Sequence, residues 1–270
     1  MLYAWKVRLL KSRLGNRLWR RWVGRRGRAV GDYGDLPRYV ARFAPGRSFA
    51  DIGCMWGVNG EYAFVAERAG AARVVGVDVF GPTPEFEERR TRDASRVEFV
   101  LGDIVSEATL ERVGEVDVVL CAGVLYHHPS PFDLLVALRR ICRQTLILRT
   151  ATIPEIRGLP HAAVFYPMLD ARARRAWNLS SLGLGRQVGI SDAFQPEAGY
   201  GNWFWGMSPS CVSAMLAAAG FRVREQAEEG FAQTFVCDAV APPFHHPLPS
   251  TDRARQLGGE VSAAGVARPA

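Results

Sequence analysis

The chain has 270 residues and a formal net charge of +7, and 48% of its residues are hydrophobic. This length favours one large domain with an appended segment over two complete domains. The five cysteines form no Cys-x-x-Cys pair and have no metal-ligand spacing. We therefore expect no metal site, no disulfide framework and a reducing, cytoplasmic setting.

The positive charge is concentrated at the start of the chain. Residues 1–30 contain ten Lys or Arg and no acidic residue, so the rest of the chain holds 24 basic and 27 acidic residues, a net charge of −3. Apolar residues with helical spacing run through this segment: Tyr3, Val7, Leu10, Leu14, Leu18 and Trp22. We predict basic amphipathic helices over residues 1–45. They would bind their own domain, an anionic membrane surface or, as the third choice, nucleic acid.

The most informative motif is the sequence SFADIGCMWGVNG at residues 48–60. An apolar strand ends near Asp51 and leads into Gly53, Gly57 and Gly60, which permit a sharp turn and a close approach of the backbone to a ligand. Apolar residues with helical spacing and a glycine suited to a helix end follow: Val58, Tyr62, Val65, Ala66, Ala69 and Gly70. This order predicts the first strand, turn and helix of a nucleotide-binding α/β sheet.

Acidic residues and a glycine follow three further apolar runs. The run VVGV ends at Asp78, eighteen residues after Gly60, where a doubly wound fold places the carboxylate that binds ribose hydroxyls. A third run leads to Asp103, and a fourth, VDVVLC, leads to Gly123 and the sequence GVLYHHPSP. Ligands bind at the carboxyl ends of such strands, so we expect these residues to line one cleft.

This ordered series resembles the class I S-adenosylmethionine-dependent methyltransferases over residues 46–150, with a weaker match at 208–240. The resemblance implies that Asp51 and the glycines face the methionine half of S-adenosylmethionine, Asp78 the ribose and Asp103 the adenine amino group. The full set of implied cofactor-binding residues is Asp51, Gly53, Cys54, Gly57, Asp78, Val79, Asp103, Ile104 and Gly123. The chain departs from the common family motif at the middle glycine, where it has Met55. The same wide spacing disfavours a nicotinamide enzyme.

The remainder of the chain completes a Rossmann-like α/β fold. A helix, a fifth strand at residues 145–149, a last helix and a terminal hairpin follow in order. We therefore predict a seven-stranded doubly wound sheet with an antiparallel last strand, within a methyltransferase domain at residues 46–240. Residues 241–270 are rich in proline and poor in apolar side chains, and are expected to form a disordered tail.

An insertion at residues 151–207 separates the fifth strand from the last helix, and it is far longer than an ordinary connection. It follows the carboxyl end of a strand, so we expect it to cover the cleft as a lid and to select the substrate. Its dense aromatic residues either pack a small core of their own or line a pocket for an apolar or planar acceptor. Six residues are assigned to the substrate side: Tyr126, Tyr166, Tyr200, Asn202, Trp203 and Trp205.

Two adjacent histidines follow the fourth strand. Methyl transfer from a sulfonium is an in-line displacement, so the protein mainly aligns the acceptor and supplies a base if the acceptor is a hydroxyl. A neutral imidazole can accept that proton, which makes His127 and His128 the candidate catalytic residues. The sequence identifies no carboxylate that would orient either ring.

The predicted function is methyl transfer to a small molecule, with a hydroxyl of a metabolite, natural product or sugar as the preferred acceptor. Two alternatives remain. The sequence GVLYHHPSP and the later WFW before Ser-Pro resemble the branch that contains the wobble-uridine carboxymethyltransferases, which indicates a tRNA-modifying enzyme. Against this, the net charge outside the first thirty residues makes a large RNA surface hard to build. The other alternative is a binding module that keeps the sheet but has lost catalysis.

Overall fold

The computed structural model describes residues 36–177, 193–229 and 232–243. The predicted helices within residues 1–30 lie outside these ranges, as does most of the predicted tail at residues 241–270. In the part of the chain that is described, no helix combines the length and the apolar character needed to cross a bilayer.

Nine strands form within the described residues: β1 (Ser48–Ile52), β2 (Arg73–Asp78), β3 (Glu98–Leu101), β4 (Val116–Ala122), β5 (Cys142–Ala151), β6 (Ala163–Phe165), β7 (Trp205–Met207), β8 (Phe221–Glu229) and β9 (Ala232–Ala239). Seven of them make the central sheet, in the order β3-β2-β1-β4-β5-β9-β8. Strands β1 to β5 are parallel, and β9 pairs antiparallel with both β5 and β8. The predicted doubly wound sheet with an antiparallel last strand is confirmed.

The helices are α1 (Leu36–Phe43), α2 (Glu61–Arg68), α3 (Pro84–Arg92), α4 (Glu107–Val113), α5 (Pro131–Ile141), α6 (Ala171–Trp177) and α7 (Pro209–Ala218), with 3₁₀ turns at Leu125–His127 and Pro196–Gly201. One face of the sheet packs on α1, α2 and α3, and the other on α4, α5 and α7. Strands covered on both faces are largely apolar, which explains the runs VVGV of β2 and VVLCA of β4.

Strand β5 and helix α1 add detail that the sequence did not predict. Strand β5 is longer than residues 145–149, because it is paired on one side with β4 and along Thr145–Ala151 with β9. Helix α1 lies at the end of the segment predicted as basic amphipathic helices, residues 1–45, and its Leu36 and Val40 are fully buried in the core of the domain.

The turn between β1 and α2 is held in left-handed backbone conformations. The φ angles of Gly53, Gly57 and Gly60 are 79°, 70° and 73°, values that favour glycine because they crowd a Cβ. A right-handed helix cannot start inside such a turn. Helix α2 therefore begins at Glu61 and not at the predicted Val58.

The insertion at residues 151–207 has a small core of its own. Ile153 and Tyr166 are 1% and 4% exposed, and Trp203 packs partly buried against them. A Cβ on Gly206 would lie 2.0 Å from the Tyr166 hydroxyl, so the ring is pressed on the backbone of β7. The prediction that Tyr166 faces the substrate is corrected, because this side chain is part of the core of the insertion.

We expect Gly60→Ala to destabilise the fold more than Gly57→Ala. Both residues have a positive φ, but a Cβ on Gly60 would lie 2.4 Å from Cδ2 of Phe86, whereas a Cβ on Gly57 would meet nothing within 4 Å. Strain alone should cost Gly57→Ala roughly 1 kcal/mol, and the added overlap should bring Gly60→Ala to roughly 2–4 kcal/mol. Urea unfolding followed by circular dichroism measures both losses. Equal losses would mean that Phe86 moves aside at no cost.

Candidate active site

The cofactor-facing residues predicted from the sequence stand where four parallel strands end. Asp51 lies near the end of β1, Asp78 closes β2, Asp103 follows β3 and Gly123 follows β4. These four strands are consecutive neighbours in the sheet. Their carboxyl ends therefore form one continuous edge, which is where ligands bind in open α/β sheets.

Asp51 is a buried carboxylate at this edge of the sheet. It is 2% exposed, and its Oδ2 has no hydrogen-bond partner within the described part of the chain. Burial raises the pKa of Asp51 to about 7, opposed by a hydrogen bond from the Ala63 N–H and reinforced by the nearby Asp78. A buried carboxylate with an unused oxygen has the chemistry to bind a cationic group.

Asp78 joins the glycine turn to the end of β2. Its Oδ2 accepts the Met55 N–H at 2.7 Å, and its Oδ1 accepts the Phe80 N–H at 2.9 Å. Burial raises the pKa of Asp78, and these backbone hydrogen bonds oppose that rise. Each carboxylate oxygen keeps a second lone pair for another donor. The ribose contact of Asp78 stays a prediction.

Two side chains of the glycine turn, those of Cys54 and Met55, point into the core. The thiol of Cys54 is fully buried and would lie 2.8 Å from a Cβ on Gly76, so the predicted cofactor contact of this side chain is corrected. Met55 is 1% exposed in the core under α1, α2 and α3. Gly53 is the point of close approach, because a Cβ there would lie 2.2 Å from Cγ2 of Val124. The middle glycine of the family motif is dispensable here because Met55 faces away from the cleft.

The other predicted cofactor residues differ in accessibility. Val79 is 38% exposed, and the space around Gly57 is open. Gly123 has a φ of 80° and donates its N–H to the carbonyl of Arg149 at 3.0 Å. Ile104 is 4% exposed and packs in the core. Val79 and Gly57 can therefore contact a ligand directly, whereas the Ile104 side chain packs in the core beneath the strand ends.

Asp103 is bound by the insertion. Its Oδ2 accepts the Tyr200 hydroxyl, and its Oδ1 accepts the Val105 N–H at 3.1 Å. The Tyr200 ring stacks on His128, with centroids 5.5 Å apart and planes 18° from parallel. Tyr200 was predicted on the substrate side. The structure places it at the end of β3 instead, on the carboxylate assigned to the adenine.

His128 lies under Tyr200 and is 5% exposed. Its Nδ1 is 2.8 Å from the carbonyl oxygen of Ser130. Its Nε2 has no hydrogen-bond partner among the described residues and lies 3.9 Å from Oδ1 of Asp103. Burial lowers the pKa of His128, and the Asp103 charge opposes that change. A ring covered in this way is poorly placed to take a proton from a substrate.

His127 is oriented by the insertion. Its Nδ1 is 2.8 Å from the carbonyl oxygen of Asn202. A carbonyl only accepts hydrogen bonds, so Nδ1 carries the proton and Nε2 keeps a lone pair. Burial lowers the pKa of His127 to about 4, although the hydrogen bond to Asn202 opposes the change. The ring is therefore neutral at physiological pH.

A row of rings crosses the edge of the sheet beside His127. Trp56 stacks on His127 at 6.0 Å, and Tyr126 contacts both His127 and Trp203 at 4.3 Å. Trp56 is 49% exposed and also meets Phe80 edge-on at 5.3 Å. The predicted substrate residues Tyr126 and Trp203 thus lie together. Sequence reasoning missed Trp56, whose signal was a bulky aromatic inside a glycine turn.

Trp205 and Asn202, both predicted on the substrate side, use their polar groups inside the protein. The Trp205 Nε1–H donates to the carbonyl of Pro129 at 2.9 Å. The Asn202 amide donates to the carbonyls of Gln195 and Gly199 at 2.6 and 3.0 Å, and its oxygen accepts the Gln195 N–H at 2.9 Å. Trp205 thus fastens β7 to the loop after β4, and Asn202 closes its own turn. A substrate contact of either side chain stays a prediction.

Comparison with known proteins gives a family and one curated relative. Residues 37–147 match the family model described as FtsJ-like methyltransferase. The chain is 33% identical over 144 residues to the tRNA U34 carboxymethyltransferase of Pseudomonas syringae pv. tomato. That match covers 51% of this chain and 42% of the relative, so the chain spans less than half the length of this relative.

Solved structures share the fold. The N-terminal domain of EvdMO1 with S-adenosylhomocysteine bound aligns with a TM-score of 0.50 and 19% identity, over 79% of this chain and 82% of that one. Magnesium protoporphyrin IX methyltransferase from Synechocystis PCC 6803, also with S-adenosylhomocysteine, aligns with a TM-score of 0.50 and 19% identity, over 78% and 84%. Residues 37–147 thus match a methyltransferase family model, and the described residues have the fold of the class I S-adenosylmethionine-dependent methyltransferases.

Two features of this edge of the sheet fit S-adenosylmethionine. The unused Oδ2 of Asp51 suits the cationic α-amino group of S-adenosylmethionine. The exposed side chain of Val79, next to the ribose candidate Asp78, offers an apolar surface to a base.

Asp51→Asn should stabilise the protein relative to the wild type at alkaline pH. The pKa of Asp51 is about 7 in the folded state and 3.8 ordinarily, so the folded protein binds this proton more tightly than the unfolded chain does. The resulting stabilisation is complete below pH 3.8 and is lost as the pH rises through 7. An amide does not ionise, so the variant escapes the loss. We expect its advantage over the wild type to grow by roughly 1–3 kcal/mol between pH 5 and pH 8.5.

Urea unfolding at the two pH values measures that growth. Asp93→Asn is the matched control, because Asp93 is an exposed carboxylate beside Arg92 and its pKa is lowered. It is ionised at both pH values and should show no growth. An Asp51→Asn difference that stays constant with pH would contradict the raised pKa.

Proposed function

We propose that the protein transfers a methyl group from S-adenosylmethionine to a small molecule, and that the acceptor group is a hydroxyl. The observation that supports a small acceptor is a strap, residues 194–204, whose contacts bridge the ends of β3 and β4: Tyr200 with Asp103, the Asn202 carbonyl with His127, and the Phe204 N–H with the Tyr126 carbonyl. A cleft bridged in this way leaves little access for a folded RNA. It suits a ligand that the aromatic row can enclose.

S-adenosylmethionine supplies an electrophilic methyl group on its sulfonium. In this proposal Asp51 holds the α-amino group, Asp78 the ribose and Asp103 the adenine, with Val79 against the base. The remaining tasks of the protein are to align the acceptor, to exclude water and to take up one proton. Tyr126 and Trp203 stand beside His127 and are our candidates for the acceptor wall.

His127 is our candidate for the base. Its Nδ1–H is held by Asn202, which fixes the ring and leaves the Nε2 lone pair for a substrate proton. Because the pKa of His127 is about 4, the ring is in the accepting form throughout the neutral range. A weak base of this kind takes the proton as methyl transfer makes the hydroxyl acidic, and not before.

His127→Ala should lower the rate of S-adenosylhomocysteine formation by roughly 100-fold or more while leaving the affinity for S-adenosylmethionine nearly unchanged. The assay uses S-adenosylmethionine and pools of hydroxylated metabolites. His161→Ala is the matched control, since His161 is an exposed residue of the insertion. Full turnover by the His127 variant would show that His127 is not the base. Cofactor binding without turnover by the wild type on any pool would favour the binding module.

A tRNA acceptor is the second candidate, supported by the curated relative and by the basic residues 1–30. If the acceptor is small, tRNA should gain no methyl group, and any tRNA binding should come from residues 1–30 and fall steeply between 50 and 200 mM salt. Filter binding and methyl incorporation, with and without those residues, measure this. Anionic liposomes in the same comparison test a membrane role for the segment. Methyl incorporation into tRNA would overturn the small-molecule proposal.

A further inference from the structure

We propose that Tyr200 competes with the cofactor for Asp103, so that the strap must release this carboxylate before S-adenosylmethionine can bind. The inference rests on the proposed function, because it takes Asp103 as the adenine contact. It goes further by making a residue of the strap a gate on the cofactor end of the cleft.

The first observation is that each oxygen of Asp103 accepts a hydrogen bond from the protein, and that one of the two donors brings the whole Tyr200 ring to this carboxylate. One accepts the Tyr200 hydroxyl and the other accepts the Val105 N–H. Burial and the Asp103 charge raise the pKa of Tyr200, so its hydroxyl keeps the proton that it donates. The ring of Tyr200 also stacks on His128 in a nearly parallel arrangement. A phenol with its ring stacked and its hydroxyl on this carboxylate uses the contacts that a purine with an amino group would use.

The second observation is that the strap also lies on the glycine turn. A Cβ on Gly201 would be 3.0 Å from Cη2 of Trp56, so the strap backbone approaches the indole closely. Trp56 in turn contacts Phe80 after β2 and His127 after β4. The indole therefore spans the strand ends between the ribose and methionine positions, and the strap covers it.

The third observation is that the strap holds its own shape. The Asn202 amide makes three hydrogen bonds to the backbone of Gln195 and Gly199. Gly199 interrupts the 3₁₀ turn with a φ of 48° and a ψ of −123°, a conformation suited to glycine. The internal bonds of the strap do not depend on Asp103. The Tyr200 contact can therefore break while the turn stays folded, as a gate requires.

These contacts set the expected size of the effect. A ligand that binds only the open state has an apparent dissociation constant equal to its intrinsic value divided by the open fraction. A hydrogen bond to a carboxylate is among the stronger ones, so removing the hydroxyl should raise that fraction. We expect Tyr200→Phe to bind S-adenosylhomocysteine roughly 3- to 30-fold more tightly than the wild type.

Isothermal titration of the full chain with S-adenosylhomocysteine tests the gate. Tyr200→Ala, which also removes the stack on His128, should shift the affinity in the same direction. Tyr39→Phe is the matched control, because it deletes a hydroxyl on α1 and should leave the affinity unchanged. Thermal unfolding without ligand checks that each variant is folded.

Each outcome decides the proposal. Tighter binding by both Tyr200 variants, with Tyr39→Phe unchanged, supports the gate. Unchanged binding by the Tyr200 variants overturns it while the methyltransferase function stands. Weaker binding also overturns it and makes Tyr200 a cofactor ligand. If neither the wild type nor any variant binds S-adenosylhomocysteine or S-adenosylmethionine, the proposed function fails and the gate fails with it.

Discussion

The hydrogen bond from the Met55 N–H to Oδ2 of Asp78 is the interaction on which the cleft depends. It fastens a turn of left-handed residues to the end of the neighbouring strand β2. On the other side of the same turn, Gly53 lies so close to Val124 that no side chain fits between them. The turn is therefore clamped between β2 and the loop after β4. Its backbone position, which any ligand at this edge must meet, is set by the sheet and not by the ligand.

The carboxylates Asp51 and Asp103 at this edge of the sheet differ in how many of their oxygens have hydrogen-bond partners. Asp51 has an oxygen without a partner, which is costly for a buried group, whereas both oxygens of Asp103 are engaged by the protein. A ligand with a cationic group at one end and a nucleobase at the other would give Asp51 the hydrogen-bond donor that it lacks. The same ligand would have to displace Tyr200 from Asp103. The favourable contact at Asp51 would thus offset the loss of the Tyr200 hydrogen bond. The two ends of the cleft would therefore be linked through the ligand.

The sequence was sufficient to predict the sheet and the acidic residues at its strand ends, because both follow from local periodicity and from the rule that parallel strands end at one edge. It could not predict which way the side chains of the glycine turn point. That direction depends on the individual φ angles of the turn, with which Cys54 and Met55 point into the core and Trp56 is exposed. It also could not divide the aromatic residues of the insertion between core and cleft. Tyr200 and Asp103 are 97 residues apart, and their contact depends on how the insertion folds back over the sheet.

The strap contacts both the end of the cleft assigned to the adenine and the end that holds His127. This constrains the order in which the ligands can bind. The strap carries Tyr200 at the end assigned to the adenine, and two residues later it carries the carbonyl of Asn202 that fixes the tautomer of His127. Trp203 follows directly in the row of rings beside that histidine. A strap that opens for the cofactor therefore disturbs the base and the acceptor wall together. In the proposed mechanism the cofactor must bind first, because only the return of Asn202 to His127 restores the ring orientation that methyl transfer to a hydroxyl needs.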